Sequence, residues 1–592
     1  MYFKPEELVV ETPTRSPKPV SQTAENITVV TASDIELMNA HTLADVLNTI
    51  PGVEVWLEGG PGIVAQATIL GSNDRHVTVI LDGVILNPPS SGIMEVGTIP
   101  VQNIEKVEVI KGPASSAWGS ALGGVVNIIT KSGQNMEQGG VVYASGGPNG
   151  FGDFRVEGRG KEEKLYYYIT AGRLQSNGLT PHFTVSENNA YAKVGYDLTE
   201  KTDIRFTLAY RRAFEDDYYN NFSPDPTFAG AGNDLLHYVV STLGVNSALS
   251  NNLDLNVSVW SYHNYDNQGF ADLTTGDSSY TKDTVMGYGS SAKLTWKSDR
   301  QTAVFGFDSS YMSDEVFFLP DGKQRIDKWA IYANDTLVFN RFSVTPGVRF
   351  DSTDSNGDVT SPSLGITYSL GDSTILRAYA AHGFNVPLTS DTFGFANGWL
   401  GNPDLKMETV WSYQAGVETA ALNYVWMKLS VFRNEMRNGI QTITLPSGDL
   451  QNQNIGRERR QGAVIEARTK PLYNTSLSAG AEFNTAKDLN TGQTILEVPT
   501  QVYDIGLRYD DQQSFKAVLL GRHINWNAPV DDMSQYHSMI IDLNMDKKIF
   551  ERKNASLEVF ATGHNLLNTA QYLKANRPNP KRWLEAGLKF NF

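Results

Sequence analysis

A strict alternation of apolar and polar side chains recurs through the chain after residue 133. Ile204, Leu208 and Tyr210 belong to one such run, and the last run ends at Phe590 and Phe592. A period of two places one apolar and one polar face on a single β-strand. No stretch approaches the ~18 consecutive apolar residues that a membrane helix requires. The pattern therefore excludes a helical membrane protein and leaves two all-β classes open, a soluble sandwich and a membrane β-barrel.

The amino-acid composition excludes several classes of function. The 592 residues include 49 basic and 65 acidic side chains, and the formal net charge of −16 argues against a nucleic-acid-binding protein. The absence of cysteine excludes a disulfide scaffold, a thiolate zinc site and a cysteine nucleophile. We find no nucleophile elbow and no paired-acid signature, so no enzymatic activity is predicted. The mean hydropathy of −0.30 is compatible with a membrane barrel, whose strands expose only every second residue to lipid.

The connections between the alternating runs are short and long in turn. Residues 370–373 and 510–514 are short connections, whereas residues 214–233 and 262–282 form long ones. Outer-membrane barrels have short periplasmic turns and long external loops, so this asymmetry favours such a barrel. About 22 strands fit between residue 139 and the C-terminus, at ~21 residues for each strand and its share of loop. A barrel of that size has a lumen wide enough to need a plug.

The region before the barrel has a different, α+β character and a suitable size for a plug. Its predicted strands and helix occupy residues 27–30, 42–48, 77–81, 107–110 and 125–129. Three prolines among small polar residues precede it and predict a flexible tether without a core of its own. The N-terminus shows no positive segment followed by an apolar one, so no secretory signal is expected in this sequence. We predict a tether (1–25), a plug domain (26–133) and a 22-stranded antiparallel transmembrane β-barrel (134–592).

Several segments with a characteristic composition are spread over the whole chain. In chain order they are residues 43–47 with 51–53, 79–83, 104–113 with 117–130, 383–387, 402–408, 565–568, and 578–582 with the terminal Phe592. Together they resemble the TonB-dependent outer-membrane receptors. The overall length and the compact 387–402 loop are most similar to the vitamin B12 receptor branch. The resemblance implies a monomer in the outer membrane of a Gram-negative bacterium, in contact with its lipid, that imports a scarce, bulky ligand.

The resemblance also implies an energy-coupling partner. The N-terminal run Glu7, Leu8, Val9, Val10 and Glu11 resembles the TonB box, which would bind TonB, itself working with ExbB and ExbD in the inner membrane. A short β-prone run can add as an extra strand to the edge of a partner's sheet. The alternative is that the run is a disordered tail or the first strand of the plug.

In this family, two plug arginines pair with two barrel glutamates, and we call such a plug–barrel ion pair a latch. Glu408 and Glu418 are separated by an even number of residues, so both side chains should face the lumen from one strand. The two arginine positions hold Leu70 and Lys111 instead. We predict that Lys111, helped by Arg75, replaces the latch. The alternative is that lumen water hydrates both glutamates.

The ligand is expected to contact the plug apex and the external loops. The candidate ligand-binding residues are Glu58, Gly60, Asn87, Ser90, Ser91, Tyr218, Tyr219, Phe222, Phe393, Phe395 and Trp399. The alternative for the aromatic residues is a girdle at the membrane interface. A corrinoid such as cobalamin is favoured, with a ferric siderophore as the alternative and a passive porin or adhesin as the competing class. Haem is disfavoured, because residues 386–401 contain no histidine.

No cofactor is required by this interpretation, although acidic residues in the early external loops provide the oxygen ligands that calcium prefers. These candidate calcium ligands are Asp216, Asp217, Asp225, Asp266, Asp272 and Asp277. They show no fixed spacing, so solvated loop acids are the alternative.

Overall fold

The structure is a computed structural model. It describes residues 8–57, 59–181, 183–220, 229–272, 278–316, 322–395, 399–528, 538–572 and 578–592. Three of the predicted site residues in the loops, Phe222, Asp225 and Asp277, lie outside these ranges, as do Glu7 and Glu58.

An α+β domain forms the N-terminal part of the molecule. Its strands are β1 (Val9–Val10), β2 (Lys18–Pro19), β3 (Ile27–Thr31), β4 (Val53–Val55), β5 (Ala67–Ile69), β6 (Val77–Leu81), β7 (Val84–Ile85), β8 (Ile104–Lys111) and β9 (Gly124–Thr130), and its helices are α1 (Ala32–Leu37), α2 (Leu43–Leu47) and α3 (Ser115–Trp118). The central sheet has the order β3-β8-β9-β6-β7, in which only β6 and β9 are parallel. Nowhere in the described ranges is a helix long and apolar enough to cross a membrane.

Local sequence signals explain where α1 and α2 begin and where the chain turns after α2. Thr31 and Asp34 form a reciprocal capping box at the start of α1, and Thr42 and Asp45 form another at the start of α2. Each box satisfies backbone N–H groups that have no partner within the helix. After α2, Gly52 adopts a φ of +84°, in the left-handed region that favours glycine, and turns the chain into β4.

A closed antiparallel barrel surrounds this domain. Its strands are β10 (Gly139–Gly146), β11 (Gly152–Glu162), β12 (Leu165–Ser176), β13 (Thr184–Thr199), β14 (Thr202–Asn220), β15 (Ala229–Ser250), β16 (Leu253–Asp272), β17 (Ser278–Ser298), β18 (Gln301–Val316), β19 (Gln324–Phe339), β20 (Phe342–Thr353), β21 (Gly357–Ser369), β22 (Thr374–Asn385), β25 (Glu408–Leu422), β26 (Val425–Thr444), β27 (Leu450–Thr469), β28 (Thr475–Asp488), β29 (Pro499–Asp510), β30 (Phe515–Trp526), β31 (Ile540–Arg552), β32 (Ala555–His564) and β33 (Trp583–Asn591). The β22–β25 connection contains α4 (Thr389–Phe393), β23 (Gly394–Phe395) and β24 (Trp399–Leu400).

Twenty-two strands in the described part of the chain form the barrel wall, as predicted. The wall closes where β10 pairs antiparallel with β33, and β22 pairs directly with β25 across the hairpin of β23 and β24. The plug strands end at Thr130 and the barrel strands begin at Gly139. Turns of two residues at one end of the barrel, such as 163–164, alternate with longer connections at the other end, such as 177–183. Outer-membrane barrels place their short turns in the periplasm, so the longer connections are external.

The alternation in the sequence corresponds to the two faces of the wall. On β14, the apolar Phe206 and Leu208 are exposed on the outer surface, whereas Thr207 and Arg211 are buried toward the lumen. An apolar outer face is what lipid requires, and a polar inner face can hydrogen-bond the plug. The low mean hydropathy is therefore the average of these two faces.

The apolar core of the molecule lies inside the barrel. Leu43, Val46 and Leu47 from α2 pack with Val107 and Val126 from the central sheet, all without solvent exposure. Barrel tyrosines also join this cluster, namely Tyr168, Tyr191, Tyr238 and Tyr262. The plug therefore fills the lumen with a packed core that rests against the wall.

The prediction of a flexible tether is wrong for residues 8–25, the part of the tether that the structure describes. Thr12, Thr14, Ser16 and Lys18 are all buried, and the segment 8–25 folds back between the plug and the barrel wall. Its polar composition does predict an extended chain in water. The lumen, however, supplies polar partners that water would otherwise supply, so the segment packs without an apolar core of its own.

Candidate functional site

The described part of the predicted TonB box, residues 8–11, lies along the edge of the plug. Val9 and Val10 form a two-residue antiparallel ladder with Lys18 and Pro19, and the Val20 N–H donates to the Leu8 carbonyl at 2.8 Å. Val10 is fully buried, whereas the Val9 side chain is 44% exposed. The run is thus already β-structured, but a short strand of this same chain occupies one of its edges.

A buried carboxylate holds the residues that follow the box. Glu108 on β8 accepts hydrogen bonds from the Glu11 N–H at 3.0 Å and the Thr12 N–H at 2.9 Å, and from the Thr12 hydroxyl at 2.5 Å. Lys106 forms an ion pair with the same carboxylate at 2.6 Å and donates to the Val9 carbonyl at 3.1 Å. Burial, together with the charge of Glu108, raises the pKa of the Glu11 carboxyl. Charge-assisted hydrogen bonds of this kind are stronger than neutral ones.

Arg15 fastens the same segment to the barrel wall. Its guanidinium pairs with Asp308 at 2.6 Å and lies between the rings of Trp118 and Tyr332, at 4.5 and 4.6 Å from their centroids. The Arg349 guanidinium pairs with the same oxygen of Asp308, at 2.7 Å. Sequence reasoning missed both Glu108 and Arg15, because neither has a local signal that distinguishes it from a solvated charge.

The structure brings together Arg75 and Glu408, two of the four residues of the predicted latch. The Arg75 guanidinium lies 2.8 Å from Glu408 and 3.3 Å from Asp391. His76 Nε2 lies 2.9 Å from the second Glu408 oxygen, and the Ile440 N–H donates to Glu408 at 2.9 Å. Glu408 is thus surrounded by donors rather than by lumen water. His76, adjacent to the predicted Arg75, was missed.

Lys111 makes a different contact from the one predicted. Its ammonium lies 3.0 Å from Glu466 on β27 and 2.7 Å from the Pro51 carbonyl. Glu418 is instead paired with Arg377 of the adjacent strand β22, at 2.5 Å. The expectation that Lys111 and Arg75 pair with both Glu408 and Glu418 is therefore wrong for Glu418. The two glutamates are ten residues apart on one strand, which is a distance of ~33 Å. Separate plug cations therefore pair with separate barrel glutamates.

Leu70, which stands where the family has its first latch arginine, belongs to the plug core. It adopts a φ of +51° in the turn after β5, and it is buried. An apolar side chain at this position adds to packing and removes one cation from the plug surface.

The predicted apical residues differ in their roles. Asn87 organises its own turn, since it accepts from the Val79 N–H at 2.8 Å and donates to the Val77 and Gly92 carbonyls at 2.9 and 2.8 Å. Ser90 donates to Asp283 of the barrel at 2.8 Å. The Ser91 side chain is exposed and accepts from the Ile93 N–H at 3.3 Å. Ser91 is therefore the more accessible of the two serines.

Among the cavities between plug and barrel in the described structure, two are lined by the predicted apical residues Gly60 and Asn87. One, of about 260 Å³, lies between the plug and strands β27–β33, and its lining includes Gly60, Pro61 and Trp583. The other, of about 190 Å³, lies beside the second apical turn, and its lining includes Asn87 and Lys328. Ligand sites typically occupy about 300–1,000 Å³. Neither cavity alone is large enough for a corrinoid.

The predicted loop aromatics are placed at the external end. Phe393 ends α4 and Trp399 begins β24, and both are partly buried. Tyr218 and Tyr219 lie on β14, and Phe395 lies on β23. The backbone therefore sets all five in or beside external connections.

The predicted calcium ligands are distributed over separate strands. Asp216 on β14 accepts from the Thr184 hydroxyl at 3.1 Å, and Asp266 on β16 accepts from the Gln268 amide at 2.9 Å. Asp217 and Asp272 lie on the same two strands. Neither Asp216 nor Asp266, whose side chains the structure describes, belongs to a group of three possible metal ligands. Calcium binding stays a prediction.

Comparisons with known proteins agree with this architecture. The family profile described as "TonB dependent receptor-like, beta-barrel" matches residues 129–543, and the "TonB-dependent Receptor Plug Domain" profile matches residues 19–125. The chain is 25% identical to the vitamin B12 transporter BtuB of Photobacterium profundum, over 78% of this chain and 76% of that protein. It is 27% identical to the BtuB of Vibrio vulnificus strain CMCP6, over 73% and 70% of the two chains.

Solved structures share the fold at low sequence identity. The ferric enterobactin receptor PfeA of Pseudomonas aeruginosa is 16% identical, with a TM-score of 0.80 over 97% of this chain and 99% of that one. The copper transporter OprC is also 16% identical, with a TM-score of 0.81 over 96% and 99% of the two chains. Since the barrel profile alone matches more than half of the chain, the protein belongs to the TonB-dependent receptors, which are outer-membrane transporters of Gram-negative bacteria and not enzymes.

Proposed function

We propose that this receptor binds a corrinoid such as cobalamin outside the cell and imports it with energy relayed by TonB, ExbB and ExbD. The observation that carries the ligand class is the similarity to vitamin B12 transporters, at 25% identity over 78% of this chain and 76% of the relative. The siderophore receptors among the solved structures are only 15 to 18% identical, so their likeness concerns the fold.

The filled lumen supports active rather than passive transport. The plug core packs against the barrel tyrosines, and Arg75 and Lys111 form ion pairs with barrel carboxylates. A solute of corrinoid size has no open path through such a lumen until the plug moves. A passive porin would not need these contacts, so the plug argues against that class.

The N-terminal segment supports coupling through strand addition. Leu8 to Glu11 would pair with the edge of a sheet in TonB after leaving the short ladder with Lys18 and Pro19. Each backbone hydrogen bond in that ladder contributes about 0.5–1.5 kcal/mol net. A two-residue ladder is therefore short enough for a partner strand to replace.

The ligand would contact the apical turns and the external connections together. Gly60 and Asn87 each line one of the two cavities that flank the plug. Because neither cavity alone holds a corrinoid, the remaining contacts would come from external residues such as Ser91, Phe393 and Trp399. Aromatic side chains suit this task, since a corrin ring offers a large flat face.

A direct binding screen tests the ligand class. The purified, detergent-solubilised receptor is titrated with cyanocobalamin and, separately, with ferric catecholate and ferric hydroxamate chelates. We expect saturable binding of cyanocobalamin alone. Saturable binding of a ferric chelate with none of cyanocobalamin would overturn the corrinoid assignment and favour a siderophore receptor.

Leu8→Pro tests the coupling role. Proline removes a backbone donor and is incompatible with a strand interior, so we expect energised uptake to be lost while surface binding of cyanocobalamin is unchanged. Leu8→Ile, which preserves β-propensity, is the matched control and should transport normally. Uptake is measured in cells with and without a proton-gradient uncoupler. Loss of surface binding in Leu8→Pro would contradict the coupling role and indicate a folding role.

A further inference from the structure

Three possible metal ligands meet where the plug touches the last β-hairpin of the barrel. His41 lies in the plug between α1 and α2, His564 is the final residue of β32, and Glu585 is on β33. The His41 Nε2 lies 3.0 Å from Glu585 Oε1, and the His564 Nε2 lies 3.4 Å from the same oxygen. Two distant parts of the chain therefore bring two imidazoles and one carboxylate to a single point.

The spacing fits a tetrahedral metal ion. Zinc binds imidazole nitrogen at ~2.0–2.1 Å and carboxylate oxygen at ~2.0–2.2 Å, so two ligand atoms on one tetrahedron are separated by ~3.4 Å. The three ligand atoms here all lie within 4.8 Å of one another. A small inward shift of the side chains would place all three at bonding distance. In the described part of the chain, no fourth histidine, aspartate or glutamate joins the group.

The surroundings of His41 resemble those of a metal-bound imidazole. Its second nitrogen, Nδ1, lies 2.7 Å from Asp153, which also pairs with Arg155. Histidines that bind metals usually donate their other ring N–H to a carboxylate, which orients the ring and makes the ligating nitrogen more basic. Asp153 is in position to do this.

Glu585 carries an unsatisfied atom at the same place. Its side chain is fully buried, and three groups converge on Oε1, namely His41, His564 and, at 2.5 Å, the Asn39 amide. Its other oxygen, Oε2, is buried without a hydrogen-bond partner in the described structure. A buried carboxylate oxygen without a partner is costly, and a bound cation would supply one.

The site is rigid and has an access route. The His564 ring stacks on Trp583, with centroids 3.9 Å apart and planes 10° apart, and the His41 ring meets Phe151 edge-on at 5.2 Å. His41 and His564 both line the 260 Å³ cavity. The His564 side chain is 18% exposed, whereas His41 is 1% exposed. A metal ion could therefore enter from the cavity side without unfolding the plug.

We propose that His41, His564 and Glu585 bind one divalent transition-metal ion of the zinc class, with the fourth coordination position open to the cavity. Imidazole and carboxylate ligands in tetrahedral geometry suit Zn²⁺. The ion joins the plug to the final hairpin of the barrel. The site lies apart from the Glu408 latch and contains none of the predicted calcium ligands.

A proton is the competing occupant. Burial disfavours a charged His41, but the Glu585 carboxylate and the hydrogen bonds with Asp153 and Glu585 outweigh it and raise the pKa of His41 to about 10. Arg155 is the other cation nearby, at 3.3 Å from His41 Nδ1. A metal ion must displace the His41 proton, so its affinity falls as the pH falls.

Metal titration of the full-length receptor tests the proposal. The untagged protein in detergent is treated with a chelator, dialysed, and titrated with Zn²⁺ by calorimetry and with Co²⁺ by visible absorption. We expect one equivalent of each ion, the absorption of tetrahedral Co²⁺, and a higher Tm with Zn²⁺, because a ligand that binds only the folded state stabilises it.

Four variants assign the binding to these side chains. His564→Gln should lose it, and His564→Cys should retain it, because a thiolate is also a zinc ligand. His523→Gln, the same change at a histidine on β30 outside the cluster, is the matched control. Asp153→Asn should weaken binding by about 10–100-fold, the usual effect of losing an outer carboxylate.

Folding is checked independently of the metal. Each variant is compared with the wild type for heat-modifiable migration of the barrel, so a variant that fails to fold is recognised. No stoichiometric Zn²⁺ binding by the folded wild type, or equal binding by folded His564→Gln, would overturn the proposal. The cluster would then be an ion pair between protonated His41 and Glu585.

Discussion

The plug core and the N-terminal segment are both buried inside the barrel, but different forces hold them. The core consists of side chains such as Leu43, Leu47 and Val107, which have no polar group to satisfy. The segment 8–25 is held by Glu108 and Asp308, through ion pairs and charge-assisted hydrogen bonds. Apolar packing changes little when a partner binds, whereas polar contacts can be exchanged for those of a partner. The comparison indicates a stable plug with a releasable N-terminus.

The largest effect is expected from a cavity in the plug core. Leu47→Ala should destabilise the plug by about 2–5 kcal/mol, the usual cost of removing a buried leucine side chain. Limited proteolysis of the embedded receptor and its Tm measure the effect. Ile85→Ala, at an exposed plug position, is the control and should change little. Equal protease resistance of Leu47→Ala and the wild type would mean that the barrel wall, rather than the apolar core, holds the plug.

A smaller and more local effect is expected from Glu108→Gln. The amide nitrogen of glutamine cannot accept hydrogen bonds, and the ion pair with Lys106 is lost. The free energy that keeps the N-terminal segment docked should therefore fall by about 1.5–3 kcal/mol. Because the chain has no cysteine, a single Val10→Cys label, at a side chain that is fully buried while the segment is docked, reports release of the segment. We expect faster labelling in the Glu108→Gln background and an unchanged Tm of the plug core.

The control for that experiment is Glu105→Gln, which changes an exposed glutamate at the start of the same strand β8. It should leave the labelling rate at the wild-type level. Equal rates for Glu108→Gln and Glu105→Gln would show that polar contacts do not retain the segment, and the contrast with the core would fail.

A third effect, on the pH dependence of stability, is expected from a plug acid. Burial, reinforced by Asp266 and Asp234, raises the pKa of Glu95 to about 8. The folded state then holds this proton more tightly than the unfolded state does, so the contribution to stability is full below about pH 4.5 and is lost as the pH rises to about 8. Glu95→Gln has no charge to form, and its Tm should fall less than that of the wild type between about pH 5 and about pH 9. Parallel Tm curves would contradict the partly buried, protonated state of Glu95.

Much of the architecture was predictable because its signals are local. Alternation along β14 and β33 depends only on which face of a strand meets lipid, so strand number, barrel class and the division into plug and barrel follow from the sequence. Arg75 was predicted only as a helper of Lys111 in the latch, and its guanidinium lies 2.8 Å from Glu408. The latch prediction failed for Glu418, because its partner Arg377 lies on the neighbouring strand β22, and pairing across strands depends on register.

The sequence by itself determined that this chain forms a lipid-facing barrel of 22 strands around an α+β plug, because periodicity and capping act over a few residues. Only the tertiary structure decided which charges meet. Lys111 with Glu466, Arg15 with Asp308, and His41 with Glu585 are separated by hundreds of residues along the chain. They become neighbours because closure of the barrel fixes the register of every strand around the plug. Burial of the N-terminal segment was decided in the same way, since a polar segment packs only where a lumen supplies its partners.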